Sequence, residues 1–184
     1  MKVLKSLLLA ACAAASFGAQ ATTIDFATYD GALASVNDAH FSLAGDGEQG
    51  TPSAYYGYLF NSVDGPVYPT NSILKIQFDQ DVTGVNFVFN TFGDKPTTAW
   101  SLFDATHTLI STGHLSWEND VSYDLSQFGN VRSIEYNNGG NNWYFGVRSL
   151  TYTAEAADVP EPASLSLLGM GVAGLLLARR RKAA

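Results

Sequence analysis

Cysteine is almost absent from this chain: Cys12 is the only one in 184 residues. No disulfide framework can staple it. Once the leader that carries Cys12 is removed, zinc–thiolate, iron–sulfur and cysteine-nucleophile chemistry have nothing to work with. Histidine is scarce, with three residues, His40, His107 and His114, and no His-Glu-x-x-His occurs. His107, His114 and Glu118 form a conceivable two-His-plus-carboxylate metal set, with isolated surface histidines the simpler reading. No Gly-x-Ser-x-Gly elbow appears, so an α/β-hydrolase has no support. Basic charge is also missing from the middle. Residues 22–158 hold four lysines and arginines against sixteen acids, a net charge of −12. Such a surface matches neither nucleic acid nor anionic lipid, and no nucleic-acid partner is expected. Among the acids, Glu48, Glu118 and Glu135 are conceivable glycosidase carboxylates. None has a diagnostic setting, and a glycan-active hydrolase remains only an alternative.

Long apolar runs are confined to the two ends. Lys2 and Lys5 precede a Leu/Ala-rich stretch over 6–17, and Ala19-Gln20-Ala21 places small residues where signal peptidase reads them. This predicts a signal peptide over 1–21 with cleavage after Ala21. Leu9-Ala10-Ala11-Cys12 is a competing lipoprotein motif, but the apolar run before it is short for that role.

At the other end, residues 163–178 carry no charge, and Ser164 and Ser166 are their only polar side chains. Sixteen helical residues span about 24 Å against a hydrocarbon core of ~30 Å. Snorkelling arginines and local thinning cover the difference, so a transmembrane helix is expected. Pro160 and Pro162 cannot continue that helix outward, which leaves an extended, protease-accessible segment at its start. Arg179, Arg180, Arg181 and Lys182 belong on the cytoplasmic side. Gly169/Ala173 and Gly174/Ala178 permit close helix approach.

Pro160, Glu161 and Pro162, then an apolar helix, then a basic cluster: this order over 159–182 resembles the C-terminal sorting signal of PEP-CTERM proteins, the substrates of membrane protease-transpeptidases called exosortases. The competing reading is a plain single-pass anchor. The resemblance implies cleavage in or near 159–162, an exosortase-type partner alongside signal peptidase, and a precursor in the inner membrane of a Gram-negative bacterium. It also implies a mature form at the cell surface or in an exopolysaccharide or biofilm matrix. The processing and sorting residues are then Ala19, Ala21, Pro160, Glu161, Pro162, Arg179, Arg180 and Arg181.

Between the signals, residues 22–158 are long enough for one domain. Short stretches of alternating apolar residues, at 73–78, 85–89, 99–103, 107–110, 131–136 and 144–152, predict strands. Earlier candidates lie at 24–29 and 55–60, and Leu115 is expected to open another strand. Turns are expected at Asp79 to Gly84 and at Asp104 to Thr106. A short helix is expected over 31–36, and a turn at 125–128 capped by Asp124. The fold class is therefore all-β: one antiparallel, jelly-roll-like β-sandwich. Val131-Arg132-Ser133-Ile134-Glu135-Tyr136 echoes Val147-Arg148-Ser149-Leu150-Thr151-Tyr152, which suggests that these two strands pair. In each, the fourth and sixth residues should share a face. Phe103-Asp104-Ala105 resembles a turn of exported sandwich domains found with PEP-CTERM tails. The Asp-Asn expected in their closing strand is replaced here by Arg148-Ser149.

Two kinds of site are conceivable. The acidic loop at 45–50 and Asp79-Gln80-Asp81 offer Asp46, Glu48, Asp79 and Asp81 as oxygen donors for a structural calcium. No other cofactor is expected. The run from Asn137 to Tyr144 is a strong hairpin-turn signal. With Asn138, Asn141, Asn142, Trp143 and Tyr144 it also offers amides and rings for a sugar. The aromatics of 55–58, Trp100 and Trp117 add to the possibilities. The expectation is a non-enzymatic, surface-sorted protein, with a carbohydrate-binding module as the alternative.

Overall fold

One strand organises the molecule. The computed structural model describes residues 20–67, 71–92, 98–116, 118–140 and 143–154. Within them the strands are β1 (Ala21–Asp25), β2 (Gly31–Ala32), β3 (Ser35–Val36), β4 (Ala39–Ala44), β5 (Ser53–Tyr55), β6 (Tyr58–Phe60), β7 (Ile73–Asn90), β8 (Ala99–Phe103), β9 (Leu109–His114), β10 (Val121–Asp124), β11 (Val131–Asn137) and β12 (Gly146–Ala154). All pairings are antiparallel. The 18-residue β7 belongs to two layers. Its first half pairs with β4 on one side and β11 on the other. Its second half pairs with β12 and β10. The first layer continues from β11 through β8 to β9. The second continues from β12 to β1 and to the β6–β5–β2 meander.

Burial along β7 shows how a single strand serves both layers. Leu74, Ile76, Phe78 and Val82 are buried at even positions, and Val85, Phe87 and Phe89 at odd ones. The parity changes at Gly84, whose φ is +62°. There Thr83 and Asn86 face Thr153 and Thr151, so β7 carries one residue more than its partner. This is a glycine β-bulge: it bends the strand and turns the apolar side chains of both halves inward. The expected turn at Asp79 to Gly84 is thus a bend within a continuous strand.

The layers meet through aromatic rings. Phe87 stands edge-on to Tyr136 at 5.0 Å, Phe78 lies 4.8 Å from Tyr152, and Phe26 meets Phe41 at 5.5 Å. The expected all-β antiparallel sandwich is what the chain forms.

Other local expectations change as well. Residues 31–36 form the two short strands β2 and β3 in place of a helix, because β5 and β4 offer them backbone partners. No strand opens at Leu115, which packs into the core just after β9. The echoing strands β11 and β12 do not pair with each other: each pairs with a different half of β7. Each has a register shift after its first valine, but of opposite kind: β12 carries the extra residue at Arg148, whereas beside Arg132 the extra residues belong to β7. Val131 and Val147 are buried along with Ile134, Tyr136, Leu150 and Tyr152. The turns at Asp104 and Asp124 fare as expected. Asp104 accepts from the backbone amides of Thr106 and Thr108, both at 2.8 Å, and these bonds hold its carboxyl below the usual range. Asp124 accepts from the Ser126 amide at 2.9 Å.

Tyr136 carries a cost. It is fully buried, and its hydroxyl has no hydrogen-bond partner among the described residues; burial alone pushes its pKa well above the ordinary range. Tyr136→Phe removes an unsatisfied polar atom and keeps the ring contacts. It is expected to stabilise the fold by about 1 kcal/mol and to raise Tm by a few degrees. Thermal unfolding of the two proteins checks this, and a lowered Tm would mean that the hydroxyl is satisfied.

Candidate functional site

The run after β11 connects the layers and does not close a hairpin. Two successive side-chain turns start it: the Gly139 amide donates to Asn137 Oδ1 at 2.7 Å, and the Gly140 amide to Asn138 Oδ1 at 3.2 Å. Asn138 is only 1% exposed, and its Nδ2 donates to the Trp143 carbonyl at 3.4 Å. The same carbonyl accepts from Asn61 Nδ2 at 3.1 Å, while Asn61 Oδ1 accepts from the Phe145 amide at 2.8 Å. The Trp143 indole N–H donates to the Thr91 carbonyl. These bonds fix the half-buried Trp143 against Tyr144, whose ring lies parallel at 5.7 Å with a 9° interplanar angle. Asn138 therefore supports the turn from inside. Asn141 and Asn142 lie outside the described residues.

Tyr144 opens onto a second aromatic group on the outer face of the second layer. Leu59 and Val147 point into the core. Their neighbours Phe60 and Gly146 consequently face outward by strand alternation. Phe60 is nevertheless 1% exposed, because other rings cover it: Phe92 at 5.5 Å and Tyr144 at 6.0 Å. Tyr58 stands edge-on to Phe92 at 4.9 Å, and Phe92 lies 5.4 Å from Tyr144. Gly146 supplies the shelf: a Cβ there would come within 2.7 Å of Tyr58 Cβ. Phe92 adopts φ +50°, uncommon for a bulky side chain. Asn90 Oδ1 holds it by accepting the Phe92 amide at 2.8 Å.

A polar network borders the rings. The Tyr58 hydroxyl donates to Asp120 Oδ1 at 2.7 Å, and Arg148 Nη1 donates to Asp120 Oδ2 at 2.8 Å. Asn90 Nδ2 reaches the Tyr58 hydroxyl at 3.5 Å. Burial first, and the Asp120 carboxylate after it, raise the Tyr58 pKa despite the opposing Asn90 amide. The phenol is therefore a fixed donor at neutral pH. Its carboxylate partner likewise keeps Arg148 charged. Rings, a phenol, an amide and a neutralised ion pair can stack on a ligand and exchange hydrogen bonds with it.

The acidic candidates are spread out. Asp46 Oδ2 accepts from Asn71 at 3.3 Å, and Glu48 Oε1 from the Val63 amide at 2.9 Å. Asp79 pairs with His40, and Asp81 with Arg132, each at 2.9 Å. Asp79-Gln80-Asp81 belongs to β7, not to a loop. Among the described residues no three His, Cys, Asp or Glu groups converge on a metal position. His107 stacks on Phe103 at 4.5 Å beside the Asp104 turn. Trp100 is 7% exposed and belongs to the core; Trp117 lies outside the described residues. Ala21 opens β1, where it pairs with Thr153. Ala19, Pro160, Glu161, Pro162, the 163–178 segment, Arg179, Arg180 and Arg181 also lie outside the described residues.

Sequence reasoning reached Trp143, Tyr144 and the aromatic run that contains Tyr58. It missed Asn90, Phe92, Asp120 and Arg148. Neighbourhood across β6, β7, β12 and the turn before β10 brings these four together, and no spacing in the chain announces it.

The fold and its outer face define an antiparallel β-sandwich with an aromatic, ion-paired surface patch. The chain carries a PEP-CTERM sorting signal: residues 158–182 match the family model described as the PEP-CTERM protein-sorting motif. No curated protein matches the chain. Among solved structures, a fucose binding module from Streptococcus pneumoniae is similar at 14% identity and TM-score 0.44, over 72% of this chain and 96% of that one. A family 29 carbohydrate binding module is similar at 17% identity and TM-score 0.44, over 79% of this chain and 98% of that one. At such identities and TM-scores, what those proteins bind does not transfer to this one.

Proposed function

We propose that this is a non-enzymatic exported protein, delivered by an exosortase-type system to the cell surface or the exopolysaccharide matrix. The single observation behind this reading is the sorting motif over 158–182. The route is signal-peptide removal at Ala21, residence in the inner membrane through the 163–178 helix with Arg179 to Lys182 inside, then cleavage in or near 159–162. β1 supports the first cut: after cleavage behind Ala21, residues 22–25 keep their partners Tyr152, Thr151, Leu150 and Ser149. The strongly acidic sandwich suits solubility outside the cell and disfavours nucleic acid.

Deletion of residues 159–162, with the helix and basic cluster intact, tests the proposal. The variant is expected to accumulate in the inner membrane as an unclipped precursor, read by fractionation and a size shift on blotting. Normal clipping and release of the variant would exclude exosortase-type sorting.

A second reading, carbohydrate binding, is favoured by the parallel Trp143–Tyr144 ring pair at the edge of the outer aromatic group. Rings of this kind stack on the apolar faces of sugars, and neighbouring amides and hydroxyls complement the sugar rim.

A further inference from the structure

Resting on the carbohydrate-binding reading, we propose that the outer face of the second layer is a subsite for a neutral polysaccharide chain. The chain would lie on the rings of Tyr58, Phe92 and Tyr144, with its hydroxyls hydrogen-bonded to Asn90, Asp120 and Arg148.

Position argues first. These side chains stand outside the main core, on the solvent side of β6, β7 and β12. Tyr58, Phe92 and Tyr144 pack over Phe60 yet remain partly exposed themselves, so they present ring surface to solvent. Geometry argues next. Two residues of this small patch, Phe92 and Asp120, adopt positive φ, +50° and +52°. Such backbone strain is retained where the surroundings over-determine it, which is characteristic of ligand sites. Both φ values are held locally: Phe92 through Asn90, and Asp120 through Tyr58 and Arg148.

Charge selects the ligand class. A uronate, sulfate or phosphate group needs a cation that is not already engaged. Arg148 is spent on Asp120 at 2.8 Å. Elsewhere among the described residues, Arg132 is spent on Asp81 and Lys75 lies 3.8 Å from Glu135; the fourth basic residue, Lys95, lies outside them. The sixteen acids of residues 22–158 repel a polyanion further. A neutralised carboxylate–guanidinium pair still has lone pairs and N–H groups for hydroxyls. The face continues in the same chemistry. Thr23 and Thr151 join hydroxyls at 3.0 Å, and Ser122 donates to Asn86 at 3.3 Å. That gives a polar track beyond the rings, bordered by the exposed carboxylates of Asp124 and Asp25 and free of exposed cations other than Arg148 among the described residues, suited to a neutral chain more than to a single sugar.

The test uses the full chain purified in detergent and the extracellular polysaccharide of the producing bacterium, split by anion exchange into neutral and acidic fractions. The neutral fraction is expected to retain the protein, with retention unchanged in about 0.5 M salt, where exposed charges are screened. Tyr144→Ala and Arg148→Ala are each expected to weaken retention about tenfold. Arg148 is an exposed residue, so a Tm within a few degrees of the wild type certifies the fold. Asp120→Asn keeps a residue type that tolerates positive φ and frees the Arg148 charge. It should add salt-sensitive retention by the acidic fraction. Wild-type retention by the acidic fraction alone overturns the proposal, as does neutral retention indifferent to both alanine variants. If Trp143→Ala abolishes neutral retention while Arg148→Ala and Asp120→Asn leave it intact, carbohydrate binding stands and this subsite fails. If neither fraction retains the protein, both fail.

Discussion

Asn61→Ala is expected to destabilise the protein by about 2–3 kcal/mol, since it strands the buried Phe145 amide, at a cost of roughly 1–3 kcal/mol, and leaves the Trp143 carbonyl only its longer bond from Asn138. Asn61 is fully buried. One side of its amide accepts the Phe145 amide at 2.8 Å, and the other donates to the Trp143 carbonyl at 3.1 Å. Its own carbonyl accepts the Ser72 hydroxyl at 2.6 Å. The side chain stands where a neighbouring strand would otherwise satisfy the crossing segment. Denaturant unfolding measures the loss. A change under about 1 kcal/mol would show that water replaces the amide without penalty. Asn61→Asp sharpens the test. It keeps the acceptor for Phe145 but loses the donor, and its buried carboxyl titrates at a raised pKa. When the folded-state pKa lies above the unfolded one, the unfolded state releases its proton first. The variant should therefore lose stability as pH rises through the carboxylate range, and fare best in mild acid.

Gly113→Ala is the second large effect, at about 3 kcal/mol, in the range for overpacking a closed core. Gly113 pairs directly with Trp100 across β9 and β8, and the indole lies flat over it. A Cβ would come within 2.6 Å of Cζ2, 2.8 Å of Cε2 and 2.9 Å of Nε1 of that ring. The ring cannot simply swing away, because it also packs against Phe128 at 6.3 Å. Replacing the indole with a smaller ring should relieve part of the strain. Gly113→Ala combined with Trp100→Phe is then expected to cost at least about 1 kcal/mol less than the sum of the single changes. Strict additivity would place the strain elsewhere.

Much of the fold was legible from periodicity. Leu74, Ile76 and Phe78, and then Val85, Phe87 and Phe89, announce a buried face by alternation alone, and the Asp104 and Asp124 turns follow from side chains that bond their own backbone. The junction of the two apolar sets was not legible. Asp79, Asp81 and Gly84 read as turn residues, yet here they occupy the bend of a continuous strand. Local preference yielded because each half of β7 found partners in a different layer, and because Arg132 and His40 took up the two carboxylates. Residues 31–36 carried a weak helix signal that available β edges overrode. The repeated pattern of β11 and β12 showed that both strands exist, but not that each would choose a different half of β7.

The sorting motif is a property of the sequence by itself. Its order of prolines, apolar run and basic cluster acts through composition and membrane physics, so it is readable without any fold. The same is true of the shortage of thiols and of the acidic character that sets the protein apart from nucleic acid. The outer face is a property of tertiary structure alone. Tyr58, Phe92, Asp120 and Arg148 are distant in the chain and individually ordinary. They become a surface patch only when β6, β7 and β12 lie side by side and two bulges, at Gly84 and Arg148, set which side chains point outward. A one-residue change of register reverses a strand's faces, and register is decided by which partners a strand finds in the folded sandwich.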